Sequence, residues 1–166
     1  IGRINEKGIK FYSDLVDELI ANNITPMITL YHWDYPLALH DKGGWRNPES
    51  SEWFLEYTKV VVDSLSDRVS YWITLNEPQC DIGCGNKDGT HAPFEKHNAR
   101  DLLIMGRNVL LSHGKAADYI RNNAKTKATI GYAPTGPCVI PRDDSEEAIE
   151  KARKKTFWCG GPAFPY

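Results

Sequence analysis

The hydrophobic positions along the chain follow two patterns, one typical of amphipathic helices and one typical of buried strands. Apolar residues recur at near-helical spacing in four segments, which predicts four helices. These segments are 5–22, 47–65, 98–122 and 145–155. Apolar runs rich in β-branched and aromatic residues predict three buried strands between them. These runs are 24–31, 69–75 and 128–133, and loops are predicted over 32–44 and about 80–97.

The predicted helices and strands alternate along the chain, which indicates an α/β protein with a parallel sheet. Three strands are too few for a closed eight-stranded barrel, so they form either a small open sheet or part of a barrel. No repeat, low-complexity segment or shift in composition marks a domain boundary, so residues 1–166 are interpreted as a single domain. The Gly- and Pro-rich end of the chain, 159–166, predicts a loop.

The composition is that of a globular protein and excludes some classes of partner. Of the 166 residues, 41% are hydrophobic and 25% are charged, with a net charge of −2. This balance gives no case for binding nucleic acid or a membrane surface, and no apolar run approaches the roughly 18 residues of a membrane helix. The first residues lack the apolar core of a signal peptide. Because there is no initiator Met, the chain is expected to begin inside a longer coding sequence or to have been processed.

Four cysteines raise the question of a metal or disulfide framework. Cys80 and Cys84 are four residues apart, but Cys138 and Cys159 form no second pair with the spacing of metal ligands. A zinc site is therefore disfavoured, and no metal is predicted. The cysteines are interpreted as free thiols in a reducing cytoplasm, which is the predicted location.

Polar side chains follow the first two predicted strands. His32 and Trp33 come directly after the first strand, and Asn76 and Glu77 end the second. The carboxyl ends of parallel strands are where α/β proteins place their chemistry. His and Asn can bind hydroxyl groups, Trp offers an apolar face to a sugar ring, and Glu can transfer a proton. Each also has a structural interpretation, as a surface ion pair, a core side chain or a turn residue, and position alone leaves both open.

Several runs around these strand ends resemble glycoside hydrolase family 1, the family of β-glucosidases. The runs are GRIN at 2–5, YHWDYPLAL at 31–39 with GGW at 43–45, DRV at 67–69 with WITLNEP at 72–78, and GTHAP at 89–93. The resemblance covers roughly residues 1–135 and, more loosely, the helix from 145. It implies a partial (β/α)8 TIM barrel, with this chain supplying barrel strands three to five.

The resemblance also implies a set of roles in a retaining hydrolysis of terminal β-D-glucosides by double displacement. Glu77 is the implied general acid/base, and Asn76 the implied ligand of the sugar 2-hydroxyl. His32 and Trp33 are implied to line the pocket of the non-reducing sugar, and Gln79 stands at a position that faces the leaving group. No cofactor is implied, because this chemistry needs only two carboxylates and water.

The chain departs from the family pattern in ways that bear on activity. The nucleophile motif of the family, Thr/Ser-Glu-Asn-Gly, does not occur, so the isolated chain is expected to be inactive. Gln79 stands where many members have Trp, and Asp81 and Cys84 occupy positions that are often apolar. The segment 157–166 drifts from the pattern. An isolated part of a barrel exposes strand edges, so poor solubility or association is expected.

Three alternatives remain open. The first is a 6-phospho-β-glucosidase, although Trp33 after His32 favours an unphosphorylated sugar by resemblance. The second is a non-catalytic sugar-binding derivative of the same barrel, against which the presence of Asn76 and Glu77 argues. The third is an unrelated small α/β domain, although no Gly-rich phosphate loop is present. The oligomeric state is not indicated by the sequence.

Overall fold

The computed structural model of the protein describes residues 2–136 and 138–157. The elements in chain order are α1 (Glu6–Ala21), β1 (Met27–Tyr31), α2 (Leu37–His40), a 3₁₀ turn (Gly44–Arg46), α3 (Ser50–Leu65), β2 (Tyr71–Asn76), α4 (Pro78–Cys80), a π-helical segment (Asp81–Lys87), α5 (Ala99–Asn123), β3 (Thr129–Ala133) and α6 (Glu146–Phe157). All four predicted helices and all three predicted strands are present. The loop predicted for 159–166 lies outside the described residues.

The three strands form one parallel sheet in the order β1-β2-β3. Met27 pairs with Tyr71, which pairs in turn with Thr129 on the other side. The predicted α/β architecture with a parallel sheet is therefore confirmed. Strand β1 begins at Met27 and not at 24, because Pro26 has no backbone N–H to give to the ladder.

The two predicted loops are wrong in part, because both contain short helical segments. Helix α2 and the 3₁₀ turn lie within 32–44 and just beyond it, and the π-helical segment lies within 80–97. Before the second of these loops, Pro78 occupies the first turn of α4, where the missing N–H removes no helical hydrogen bond. The chain therefore turns directly from β2 into α4. These compact segments fix the residues that follow the strand ends.

The hydrophobic core lies between the sheet and helices α3 and α5. Strand β2 is central, and its Trp72 and Leu75 are fully buried against Val62 and Leu65 of α3 and Ile120 of α5. Burial of each such side chain contributes roughly 1.5–3 kcal/mol before the loss of conformational entropy is subtracted. The strand that carries Asn76 and leads to Glu77 is therefore the most firmly held strand of the sheet.

Helix α1 leaves much of its apolar surface uncovered. Val16 is its buried residue, whereas Phe11 is 62% exposed and Leu15 43% exposed. The helix is held to the rest of the protein partly by polar contacts, since the Arg68 guanidinium donates to Asp17 and to Ser13 Oγ. Within the described residues, no helix is long and apolar enough to span a membrane.

Candidate active site

The side chains at the ends of β1 and β2 meet because these strands are parallel neighbours. The Asn76 amide Nδ2 donates to His32 Nε2 at 3.1 Å. The indole Nε1 of Trp33 donates to the backbone carbonyl of Asn76 at 2.9 Å. Three of the residues predicted for the site therefore touch one another, and Glu77 follows Asn76 directly in the chain.

Two of the predicted site residues have left-handed backbone conformations. Trp33 has φ of 72° and Glu77 has φ of 41°. Such a conformation costs a non-glycine residue roughly 1–3 kcal/mol and persists only where the surroundings impose it. At Glu77 the surroundings are clear, because its N–H donates to Ala133 O at 2.8 Å while its own carbonyl accepts from Cys80 N at 2.8 Å. Hydrogen bonds to β3 and within α4 thus fix the backbone that carries the carboxylate.

An aromatic surface flanks this cluster. The Trp33 ring has its centroid 5.8 Å from that of His32 and 5.7 Å from that of His91, with interplanar angles of 67° and 35°. His91 is held by its backbone N–H, which donates to Cys84 O at 3.2 Å. His91 was not among the residues predicted for the site, although the GTHAP run at 89–93 contains it. Its position depends on the fold of the π-helical segment, which the sequence did not predict.

Gln79, the fifth residue predicted for the site, contacts the segment that follows β3. Its amide Nε2 donates to the backbone carbonyl of Thr135, just beyond β3, at 2.6 Å. The side chain therefore links α4 to the segment after β3, and its contact with a leaving group stays a prediction.

A buried carboxylate lies beneath the site. Asp81 is only 6% exposed and accepts hydrogen bonds from Tyr31 Oη at 2.8 Å and Trp45 Nε1 at 3.2 Å. Burial raises the pKa of Asp81, although the two donors oppose this. Burial together with the Asp81 charge raises the pKa of Tyr31 and of Tyr35. In the sequence, Asp81 stands out only as a departure from the family pattern.

A small cavity adjoins this carboxylate. Its volume is about 30 Å³, and Tyr31, Tyr35, Trp45 and Asp81 are among the residues that line it. Tyr35 Oη is buried and has no hydrogen-bond partner. The strand end that carries His32 and the helix that follows Glu77 are thus joined through a buried polar cluster.

The long segment after α4 is folded tightly back on itself. A Cβ atom on Gly85 would lie 2.5 Å from Ala92 O, so only glycine allows this approach. Glu95 then closes the loop, because its N–H donates to Gly85 O at 3.0 Å and its carboxylate accepts from His97 Nε2 at 2.6 Å. Burial is the largest single effect on the pKa of Glu95 and raises it, but the hydrogen bond from His97 and the charges of His40, His97 and Arg46 together outweigh burial and lower the pKa.

A metal centre finds no support in this region. Across the described ranges 2–136 and 138–157, no three His, Cys, Asp or Glu side chains are grouped so as to hold a metal ion. Cys80, Cys84 and Cys138 are free thiols, and Cys159 lies outside the described residues.

Comparisons with known proteins identify the family to which this site belongs. The model of glycosyl hydrolase family 1 matches residues 1–164, and the chain belongs to that family. β-Glucosidase A of Thermotoga maritima is 40% identical over 155 residues, which are 92% of this chain and 34% of that protein. β-Glucosidase A of Acetivibrio thermocellus is 42% identical over 151 residues, 91% of this chain and 33% of that protein.

A solved structure is similar throughout the matched region. The β-glucosidase from Thermotoga maritima in complex with deoxynojirimycin superposes with a TM-score of 0.81 at 38% identity, over 92% of this chain and 34% of that chain. The predicted family and the predicted partial TIM barrel are both confirmed. The chain spans about a third of the length of the curated relatives it matches.

Proposed function

We propose that this chain supplies the acid/base part of a retaining β-glucosidase. The observation that carries the proposal is the cluster at the ends of β1 and β2, in which Asn76 joins His32 and Trp33 directly beside Glu77. The names of the relatives, β-glucosidases at 40% and 42% identity, favour an unphosphorylated glucoside over a 6-phosphoglucoside as substrate. Sugar binding alone does not require a carboxylate beside these groups, whereas acid/base catalysis does.

In this mechanism Glu77 acts twice. It first donates a proton to the leaving glycosidic oxygen while a second carboxylate attacks the sugar, and it then removes a proton from the water that hydrolyses the glycosyl-enzyme. Retaining enzymes hold the two carboxyl groups roughly 5 Å apart. The second carboxylate comes from outside the segment described here, so the isolated chain is inactive.

The neighbouring residues bind and orient the sugar. Asn76 donates to the 2-hydroxyl, a contact that strengthens in the transition state. His32 binds a hydroxyl, and the Trp33 ring packs against the sugar face. Gln79 stands on the leaving-group side, where its contact with Thr135 O limits its freedom. No metal or organic cofactor takes part.

The wider setting is proposed on similar grounds. Residues 1–166 form a single structural unit, supported by the one sheet and one core of the described part. A reducing, cytoplasmic compartment is supported by the three unpaired thiols described. The substrate is a β-glucoside or oligosaccharide, and the chain's net charge of −2 gives nucleic acid no electrostatic basis for binding.

The experiment compares the chain alone with a hybrid enzyme. In the hybrid, this chain replaces the matched third of the Thermotoga maritima β-glucosidase. We expect no hydrolysis of an aryl β-glucoside by the chain alone. We expect turnover by the hybrid and a loss of roughly 10²–10⁴-fold in kcat on Glu77→Gln. Glu49→Gln, an exposed glutamate on a different segment, is the matched control and should leave turnover unchanged.

Two results would contradict the proposal. One is hydrolysis by the chain alone, since this would require a nucleophile within it. The other is a folded hybrid, with a sharp thermal transition, that hydrolyses the substrate equally well with and without the Glu77→Gln change.

A further inference from the structure

A buried carboxylate links the turn that carries Glu77 to the end of strand β1. The Asp81 N–H donates to Glu77 O at 3.2 Å, and the Cys80 N–H donates to the same oxygen at 2.8 Å. The Asp81 side chain, which is only 6% exposed, accepts through its Oδ2 atom from Tyr31 Oη at 2.8 Å. Asp81 therefore holds the Glu77 carbonyl with its backbone and the last residue of β1 with its side chain.

These contacts are part of a closed cycle around the proposed active site. Tyr31 is followed directly by His32, which accepts from Asn76 Nδ2 at 3.1 Å. Asn76 is followed directly by Glu77, whose carbonyl accepts from Asp81 N. Hydrogen bonds and short stretches of the chain thus lead from Glu77 through Asp81 to β1 and back again. Because the cycle is closed, the contact of Asp81 with Tyr31 limits the movement of Glu77 relative to His32.

A second donor connects the same carboxylate oxygen to helix α5. Trp45 Nε1 donates to Asp81 Oδ2 at 3.2 Å. The backbone carbonyl of Trp45 accepts in turn from Asn108 Nδ2 at 2.9 Å, and Asn108 is a buried residue of α5. The Tyr31 and Trp45 rings pack edge to face, with centroids 5.4 Å apart. The carboxylate is therefore held between two buried donors, each fixed by its own neighbours.

The placement of Asp81 is costly for stability. Burial raises the pKa of Asp81 even though Tyr31 and Trp45 donate to it, so the two hydrogen bonds do not fully offset the loss of water around the carboxylate. A set of apolar side chains in the same space would avoid that cost, because no buried donor would then need an acceptor. Costs of this kind are expected mainly where a residue serves the functional site.

We propose that Asp81 is a positioning residue, which holds the turn that carries Glu77 at a fixed place relative to His32. Asp81 does not itself touch the substrate and acts only through this turn. A displacement of about 1 Å in a catalytic group can lower the rate roughly 10²-fold, so a fixed turn matters for proton transfer. The effect of Asp81 on hydrolysis rests on the proposed function, whereas its hold on the turn does not.

The test uses variants that separate the loss of these hydrogen bonds from a loss of stability. Asp81→Val has a similar size and accepts no hydrogen bond, whereas Asp81→Asn keeps an acceptor for Tyr31 and Trp45. Tyr31→Phe removes one donor and keeps the carboxylate, so it tests the same contact if Asp81→Val does not fold. Ile120→Val is the control, because Ile120 is fully buried but lies in the last turn of α5, which leads to the start of β3 and not to the site.

Amide hydrogen exchange, followed by NMR on the 166-residue chain, measures the hold on the turn. We expect Asp81→Val to speed the exchange of the Glu77 and Cys80 amides roughly tenfold relative to the amides of α3, which is the effect of one lost hydrogen bond. Tyr31→Phe should act in the same direction, and Asp81→Asn should change these rates less than about threefold. Ile120→Val should speed exchange in the core and in the turn by the same factor.

The second measurement uses the hybrid enzyme and two substrates that differ in their need for a proton. A phenyl leaving group departs slowly without a proton from an acid, whereas a 2,4-dinitrophenyl leaving group departs as a stable anion. We expect Asp81→Val to lower kcat/KM at least roughly tenfold for phenyl β-glucoside and less than about threefold for 2,4-dinitrophenyl β-glucoside. Asp81→Asn should keep both values close to those of the unchanged hybrid, and Ile120→Val should change both by the same factor.

Unchanged exchange at Glu77 and Cys80 in the folded variants Asp81→Val or Tyr31→Phe would overturn the proposal. Equal losses on the two substrates with Asp81→Val would overturn it too, provided that Glu77→Gln in the same hybrid distinguishes them. If Glu77→Gln does not distinguish the substrates, the proposed function is wrong, and the exchange rates alone decide whether Asp81 holds the turn. The two proposals can therefore fail separately.

Discussion

The Asn76 carboxamide donates to His32 Nε2 across 3.1 Å and so joins two residues that are 44 positions apart in the sequence. One residue ends β2 and the other follows β1, so the contact spans neighbouring strands of the sheet. Trp33 is attached to the same residue through the backbone carbonyl of Asn76. The orientation of the side chains that follow β1 therefore depends on the residue that precedes Glu77.

Replacing Asn76 with Ala separates these two contacts. The change removes the donor to His32 Nε2 but keeps the backbone carbonyl that binds Trp33 Nε1. We expect the NMR signals of the His32 ring to shift and the indole N–H signal of Trp33 to change little. In the hybrid enzyme, kcat/KM for an aryl β-glucoside should fall at least roughly tenfold, because the proposed contact with the 2-hydroxyl contributes in the transition state. Unchanged His32 signals would show that the contact does not hold the ring.

Asp81 should make stability depend on pH. Burial raises its pKa above the ordinary value of 3.8, so folding favours the protonated carboxyl. This contribution to stability is fully present below about pH 4 and is lost as the pH rises through the folded-state pKa. We expect Asp81→Asn to remove that loss, since the amide oxygen can still accept from Tyr31 and Trp45. Urea unfolding between pH 4 and pH 8 measures the effect.

The effect of Asp81→Asn on the free energy of unfolding should change with pH in one direction. The difference in free energy of unfolding, Asp81→Asn minus unchanged chain, should increase as the pH rises from 4. Asp41→Asn, at an exposed position, serves as the control and should give a flat difference. A difference that decreases with rising pH would mean that hydrogen bonds from Tyr31 and Trp45 outweigh the cost of burial.

Two glycines in the π-helical segment offer a matched pair. A Cβ on Gly85 would meet Ala92 O at 2.5 Å, whereas a Cβ on Gly83 would have no heavy atom within 4 Å. We expect Gly85→Ala to push the 89–93 loop away and to lower the unfolding free energy by roughly 1–3 kcal/mol. Gly83→Ala should be neutral or slightly stabilising. Thermal unfolding compares the two, and equal effects would show that the loop adjusts freely.

The edges of the sheet should make the isolated chain associate. Among the described strands, β1 and β3 each pair on one side only. Met27 on β1 is 60% exposed, and Phe11 on helix α1 is 62% exposed. We expect concentration-dependent oligomers in sedimentation velocity. Met27→Lys should reduce them, because a charged residue on an edge opposes strand pairing.

A second substitution distinguishes the effect of the strand edge from that of apolar surface in general. Lys7→Met adds an apolar side chain at an exposed position of helix α1, so it tests whether apolar surface, rather than the strand edge, controls association. We expect it to change the fraction of oligomer less than Met27→Lys does. A single monomeric species for the unchanged chain, with cooperative unfolding, would contradict the prediction.

The fold and the position of the proposed acid/base residue were accessible from sequence because short-range patterns determine them. The apolar run that ends in Asn76 predicts a buried strand, and Pro78 marks the turn after it. The family motifs then identify Glu77. None of this requires knowledge of contacts between distant residues.

The buried support of the site was not accessible in the same way. The bonds from Tyr31 and Trp45 to Asp81 join residues 50 and 36 positions apart, and no local pattern predicts such pairs. The tilted packing of the His91 ring beside Trp33 depends on a π-helical segment, an uncommon structure with no strong sequence signature. The exposure of α1 was also missed, because periodicity shows that a helix has an apolar face but not whether anything covers it.

The left-handed backbones of Trp33 and Glu77 have a consequence for protein engineering. At both positions glycine would relieve the steric cost of the conformation, so a screen that rewards heat resistance alone would favour discarding the indole and the carboxylate. Under the proposed function, selection for heat resistance and selection for turnover thus act in opposite directions at the same two residues. A search for more robust variants should keep these positions fixed and look for improvements elsewhere, such as the open face of α1.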